Sequence, residues 1–87
     1  MTPDEFLAAF EAARASAILR TNDTAAARAA MEAAVRGGFR VIEFTLTIPR
    51  VLELIADFSR RDGLIVGAGT VLTVEEAQAV VHAGAKF

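Results

Sequence analysis

The sequence predicts an α/β fold: the first three βα units of a (βα)8 (TIM) barrel, preceded by an N-terminal helix and followed by the start of a fourth strand. Two observations carry this. Short apolar runs of strand length start near residues 17, 41, 64 and 86, about 22–24 residues apart, with helix-forming stretches between them. Alternation at that spacing makes parallel strands joined by crossover helices. The second observation is the run Val41-Ile42-Glu43-Phe44-Thr45-Leu46-Thr47. Alternate strand residues face opposite ways. Ile42, Phe44, Leu46 and Ile48 therefore make one apolar face, while Val41, Glu43, Thr45 and Thr47 make another that turns polar toward the C-terminal end. An open doubly wound sheet is the other architecture that fits, but helices cover both of its faces and leave such a polar series no place. In a barrel one face of each strand points to the axis, and polar residues gather at the C-terminal mouth. Whole barrels run to roughly 250 residues. The expectation is therefore that residues 1–87 form the N-terminal portion of a single barrel domain.

Each element has a local reason. Thr2 and Glu5 have capping-box spacing, and Pro3 suits the first helical position. Phe6, Leu7 and Phe10 supply an apolar stripe, so a helix is expected over 3–14. Ala15 to Leu19 reads as a strand ending at Arg20. Thr21 to Thr24 is loop and N-cap chemistry, and Ala25 to Arg36 is an Ala-rich helix stopped by Gly37-Gly38. A strand is expected over about 40–46, with Pro49 opening the next helix and Val51, Leu52, Leu54, Ile55 and Phe58 on its buried side. Arg60 to Gly63 ends that helix. Leu64-Ile65-Val66 reads as the third strand, with Gly67-Ala68-Gly69-Thr70 following it. Thr73 and Glu76 make a second capping box for a helix running to about Ala83, and Ala85-Lys86-Phe87 begins the fourth strand.

Composition narrows the function classes. The net charge of −2 gives no electrostatic reason to expect nucleic acid or a membrane surface as partner. No cysteine is present, so disulfides, thiolate catalysis and cysteine-ligated metal are excluded within this segment. The acidic start lacks the pattern of a signal peptide, and the apolar runs are far short of a membrane span, so a cytoplasmic protein is expected. No metal-ligand spacing occurs; His82 stands alone in a helix. Gly67-Ala68-Gly69 has the first two glycines of a dinucleotide fingerprint, but Leu72 holds the third position, and no P-loop pattern occurs. Those glycines are expected to let backbone approach a ligand or the next loop closely.

The chemistry is expected where the strands end. The first ends at Arg20, the second carries Glu43, Thr45 and Thr47, and the third leads to Thr70. A cation, a carboxylate and hydroxyls at one mouth suit an anionic substrate with a proton to be moved: arginine grips, threonine donates and glutamate acts as base. A carboxylate in an apolar strand is costly unless paired or shifted in pKa. A structural ion pair to an arginine on a neighbouring strand is the competing explanation for Glu43. Two other functions fit the pattern: a small α/β binding module for an anionic metabolite without catalysis, and a different barrel enzyme acting on a phosphate ester.

Ala17-Ile18-Leu19-Arg20, Gly37-Gly38 before Val41 to Pro49, Ile65 to Leu72 and Ala83-Gly84-Ala85 together resemble the N-terminal part of the 2-keto-3-deoxy-6-phosphogluconate (KDPG) aldolase family. The related 4-hydroxy-2-oxoglutarate and phosphogalactonate aldolases share the pattern. The resemblance implies a (βα)8 barrel assembling as a homotrimer, and a class I aldolase that needs no cofactor or metal. It implies a lysine forming a Schiff base with a 2-keto acid, and cleavage of KDPG to pyruvate and glyceraldehyde 3-phosphate. Glu43 matches the family's proton-transfer glutamate, and Thr70 the threonine that holds the pyruvate carboxylate. Arg20 matches an arginine beside the substrate in part of the family. Thr47 stands where some members have a carboxylate-gripping arginine, and Arg20 is expected to take over that task. Lys86 is the only lysine and falls at the start of the fourth strand, on the face that barrels keep for stability. It does not match the Schiff-base position, which lies beyond this segment in the family. Residues 1–87 alone are accordingly expected to be inactive: pyruvate and borohydride should leave no stable adduct on this chain, and an adduct on Lys86 would overturn the expectation.

Overall fold

The computed structural model describes residues 1–87. Four helices and three strands alternate: α1 (Pro3–Ala13), β1 (Ser16–Leu19), α2 (Thr24–Arg36), β2 (Val41–Thr45), α3 (Val51–Ser59), β3 (Ile65–Gly69) and α4 (Val74–Ala83). The strands form one parallel sheet in the order β1-β2-β3. Beyond β3, Lys86 N donates to Val66 O at 2.8 Å and Ala68 N to Phe87 O at 2.9 Å. Residues 85–87 thus run beside β3 without making a regular strand.

Register sorts the side chains into two faces. Ala17, Ile42 and Val66 share one row, and Leu19, Phe44 and Ala68 the next. All six belong to, or pack against, one apolar cluster with Ala27 and Met31 of α2, Val51, Leu54, Ile55 and Phe58 of α3, and Val80 of α4. Phe44 and Phe58 meet edge to face at 5.2 Å. No residue of the opposite rows, which hold Val41, Glu43 and Thr45, belongs to this cluster. Helices α2, α3 and α4 therefore cover one face of the sheet only. On the other, Ile18 is 59% exposed.

The helix signals work as expected at most ends. Thr2 and Glu5 form both halves of the capping box, at 3.1 and 3.4 Å. Asp23 caps α2 by accepting from Ala26 N at 3.0 Å. Thr73 accepts from Glu76 N at 3.0 Å, but Glu76 reaches back to Leu72 N rather than to Thr73 N. Three expectations need correction. Pro49 does not open α3: it lies in a turn, and Arg50, in the left-handed region at φ 60°, redirects the chain so that the helix starts at Val51. Leu52 is 42% exposed, because the buried positions 51, 54, 55 and 58 form one helical stripe and 52 lies off it. The third strand does not stop at Val66 but runs through Gly67-Ala68-Gly69.

Outside the apolar cluster, charges tie α2 to the end of α3. Arg61 lies 2.7 Å from Glu32 and 3.0 Å from Asp57, and Arg28 reaches Asp57 at 2.6 Å. The Arg61 guanidinium stacks over Phe58 at 3.9 Å. The hydrogen bond from Arg61 holds the Glu32 carboxyl below its usual range, and those from Arg28 and then Arg61 do the same for Asp57. Depressed carboxylate pKa values contribute stability that is complete above the unfolded-state values, about 4, and is lost as pH falls through the lower folded values. Unfolding free energy should therefore decline as pH drops below about 4. Arg61→Met should flatten that decline and cost about 1–2 kcal/mol at neutral pH, the ion pairs being discounted for partial exposure. Denaturant titrations across pH check both.

Candidate functional site at the C-terminal end of the sheet

In a parallel sheet all strand C-termini lie on one side, so Arg20, the Thr45–Thr47 turn and Thr70 emerge together. Arg20 follows β1 directly and Thr70 follows β3 directly, with β2 between them. Arg20 Nη2 donates to Thr70 Oγ1 at 2.8 Å, so the guanidinium spans the end of β2. Thr70 holds φ at 58°. A β-branched residue in the left-handed region is an outlier that surrounding contacts must maintain. Thr47 lies exposed in the turn after β2, and its hydroxyl shares a 2.7 Å hydrogen bond with that of Thr45, which is only 2% exposed.

Glu43 is half-buried on the face opposite α2–α4. Its register partners are Ile18 on β1 and Gly67 on β3. No arginine lies within ion-pair distance, and no side-chain hydrogen bond reaches it. The competing explanation, a structural ion pair to a neighbouring arginine, thus finds no such pair among these residues. The carboxylate fits because β3 is bare beside it. A Cβ built at Gly69 would overlap Glu43 Oε1 and lie 3.2 Å from Cδ, and one at Gly67 would meet the Phe87 ring at 2.5 Å. The two glycines admit side chains of this same chain, rather than the ligand or loop expected of them.

Of the four residues singled out, Arg20 and Thr70 are joined directly, Thr47 pairs with Thr45, and Glu43 stands on the adjoining face without a partner. Gly69 escaped sequence reasoning as a site residue, because its proximity to Glu43 appears only once the β2–β3 register is known. The largest groove, about 530 Å3, lies elsewhere: Leu46, Ile48, Val51, Leu52 and Ala79 line it on the helical side, and none of the four residues contributes. No three acidic or histidine side chains converge as metal ligands. Lys86 is exposed at the start of the segment beside β3. No helix is long and apolar enough to cross a membrane.

With the geometry in hand, three comparisons bear on it. A family model described as "Aldolase: KDPG and KHG aldolase" matches residues 7–87. A 2-dehydro-3-deoxy-phosphogluconate aldolase of Zymomonas mobilis is 40% identical over 70 residues, which cover 80% of this chain and 34% of that protein. The crystal structure of a 2-keto-3-deoxy-6-phospho-gluconate aldolase from Zymomonas mobilis superposes with a TM-score of 0.70 at 39% identity, over 83% of this chain and 35% of the other. The chain spans about a third of the length of these relatives.

The strain at Thr70 is open to test without any substrate. Thr70→Gly should change the unfolding free energy by less than about 1 kcal/mol, since relief of about 1–2 kcal/mol of left-handed strain is offset by glycine's unfolded-chain entropy and the lost Arg20 hydrogen bond. A larger loss of stability in denaturant titration would mean that the Arg20 hydrogen bond outweighs the strain.

Proposed function

The chain belongs to the KDPG and KHG aldolase family, and from that premise we propose that it forms the base-bearing part of a class I aldolase acting on a 2-keto acid. The proposed substrate is 2-keto-3-deoxy-6-phosphogluconate, cleaved to pyruvate and glyceraldehyde 3-phosphate, with 4-hydroxy-2-oxoglutarate and the phosphogalactonate analogue as chemically close alternatives. The proposed architecture is the first three βα units of a (βα)8 barrel. Sequential parallel strands with α2–α4 on one face support it, because a barrel leaves the other face for its axis. Assembly as a homotrimer belongs to the same proposal.

One observation carries the functional reading. A guanidinium and a threonine hydroxyl are hydrogen-bonded at 2.8 Å at the strand ends, while a carboxylate without an ion-pair partner stands on the adjoining open face. Arg20 supplies fixed positive charge and a planar pair of donors, which match a substrate carboxylate. Thr70 orients the guanidinium and offers its own hydroxyl. Thr47, tied to Thr45, keeps a further hydroxyl at the rim where other members place an arginine. Arg20 is thus the charge left to hold the carboxylate.

Glu43 is assigned the proton transfers. Breaking the carbon–carbon bond of a β-hydroxy keto acid requires loss of the hydroxyl proton, and the resulting enamine must then regain a proton at carbon. One carboxylate can serve both steps in turn, as base and then as conjugate acid. The Schiff-base lysine is assigned to a part of the protein outside residues 1–87. Lys86 is not that residue: the resemblance puts the nucleophile further along the chain.

In the full-length enzyme, Glu43→Gln should cut exchange of the pyruvate methyl protons with solvent by roughly a hundredfold or more while leaving borohydride trapping of pyruvate intact. Unchanged exchange would sink the base role. Arg20→Ala should raise KM for pyruvate by roughly ten- to a hundredfold, the loss expected of a charge-assisted contact worth about 1.5–3 kcal/mol, with a smaller effect on kcat.

A further inference from the structure

We infer that Gly69 is a positioning residue for the Glu43 carboxylate, an assignment that rests on the proton-transfer role proposed for Glu43. Thr45 pairs in register with Gly69 and Glu43 with Gly67, so all four positions share the face opposite α2–α4. The Glu43 carboxylate does not stand over its own register partner. It leans two residues further along β3, into the volume that a methyl group on residue 69 would fill, with Thr45 Cγ2 3.5 Å from the same point. That lean carries the carboxylate toward Thr70 and hence toward the Arg20 guanidinium hydrogen-bonded to it.

The neighbouring glycine does something different. The three atoms nearest a Cβ at Gly67 all belong to the Phe87 ring, at 2.5–2.7 Å, and none to Glu43. Two glycines on one strand thus accept two different side chains, a ring at 67 and a carboxylate at 69. Glycine inside a strand weakens it, and close approach of another group accounts for each. The obstacle at 69 is the far end of a flexible side chain rather than backbone. A methyl group there leaves the sheet intact and turns the carboxylate to another rotamer. What is lost is the carboxylate's alignment, on which proton transfer depends steeply.

The test uses the full-length enzyme and two readouts, solvent exchange of the pyruvate methyl protons and borohydride trapping of pyruvate. Gly69→Ala should lower the exchange rate at saturating pyruvate at least tenfold and leave trapping within twofold. In a Glu43→Ala background the same substitution should change the residual exchange less than twofold, since no carboxylate remains to be displaced. Gly67→Ala should lower the melting temperature but keep exchange within twofold. Equal losses in both backgrounds, equal losses at 67 and 69, or full exchange in Gly69→Ala would each overturn the assignment. If Gly69→Ala does not fold, the Glu43→Ala/Gly69→Ala protein decides: recovery of folding supports the steric coupling, and continued unfolding overturns it. The proton-transfer reading fails on a separate result, unchanged exchange in Glu43→Gln with Gly69 intact, so the two failures are told apart.

Discussion

Everything at the C-terminal end of the sheet depends on how one carboxylate is accommodated between Ile18 and the bare backbone of β3. A charged group among apolar strands is costly when water is excluded and no partner is provided. Here the strands beside Glu43 leave it room instead of a counter-ion. Ile18 is largely exposed, and β3 presents two glycines, so the carboxylate keeps access to solvent while its stem is held by the sheet. An arginine partner in that space would have satisfied the charge and fixed its protonation state. The Arg20 guanidinium is hydrogen-bonded to Thr70 instead, which leaves the acid without an ion-pair partner for the chemistry proposed for it.

The two faces of the sheet are organised by different physics. The helix-covered face is closed by dispersion and burial, with Phe44, Phe58 and Ile42 packed without exposure. Its outer margin is tied by Arg28, Glu32, Asp57 and Arg61, which join two helices and touch nothing on the opposite face. The opposite face carries Val41 and Ile18 together with the polar Glu43 and Thr45, and the Phe87 ring lies over Gly67 there. Within residues 1–87 the apolar cluster therefore lies on one side of the sheet, and Glu43 and the strained Thr70 lie outside it.

Much of this was legible in the residues. Capping boxes and glycine stops located α1, α2 and α4 to within a residue or so, because those signals act within a single turn of chain. That Arg20 and Thr70 emerge on one side of the sheet followed from the spacing of parallel strands, while Glu43 lies mid-strand in β2. Other features depend on which residues become neighbours in space. The extent of β3 was hidden because glycine is read as a breaker when its register partners are unknown. Arg50 and Thr70 adopt left-handed backbone that neither residue type advertises. The Arg20–Thr70 hydrogen bond crosses an intervening strand, which a motif confined to one element does not encode.

Phe87 has a consequence for the order in which the chain can assemble. Its ring covers Gly67 on the open face and stacks against Phe6 of α1 with centroids 4.8 Å apart. Those two phenylalanines are separated by almost the whole sequence. The helix α1 has its own capping box, but a helix of eleven residues is marginal alone in water. Its aromatic contact with Phe87 can form only after the three strands between them have been made. Closing so long a loop comes late and at an entropic cost that the local pairings never meet. Seating α1 against Phe87 is thus a long-range step, set apart from the local β1–β2 and β2–β3 pairings.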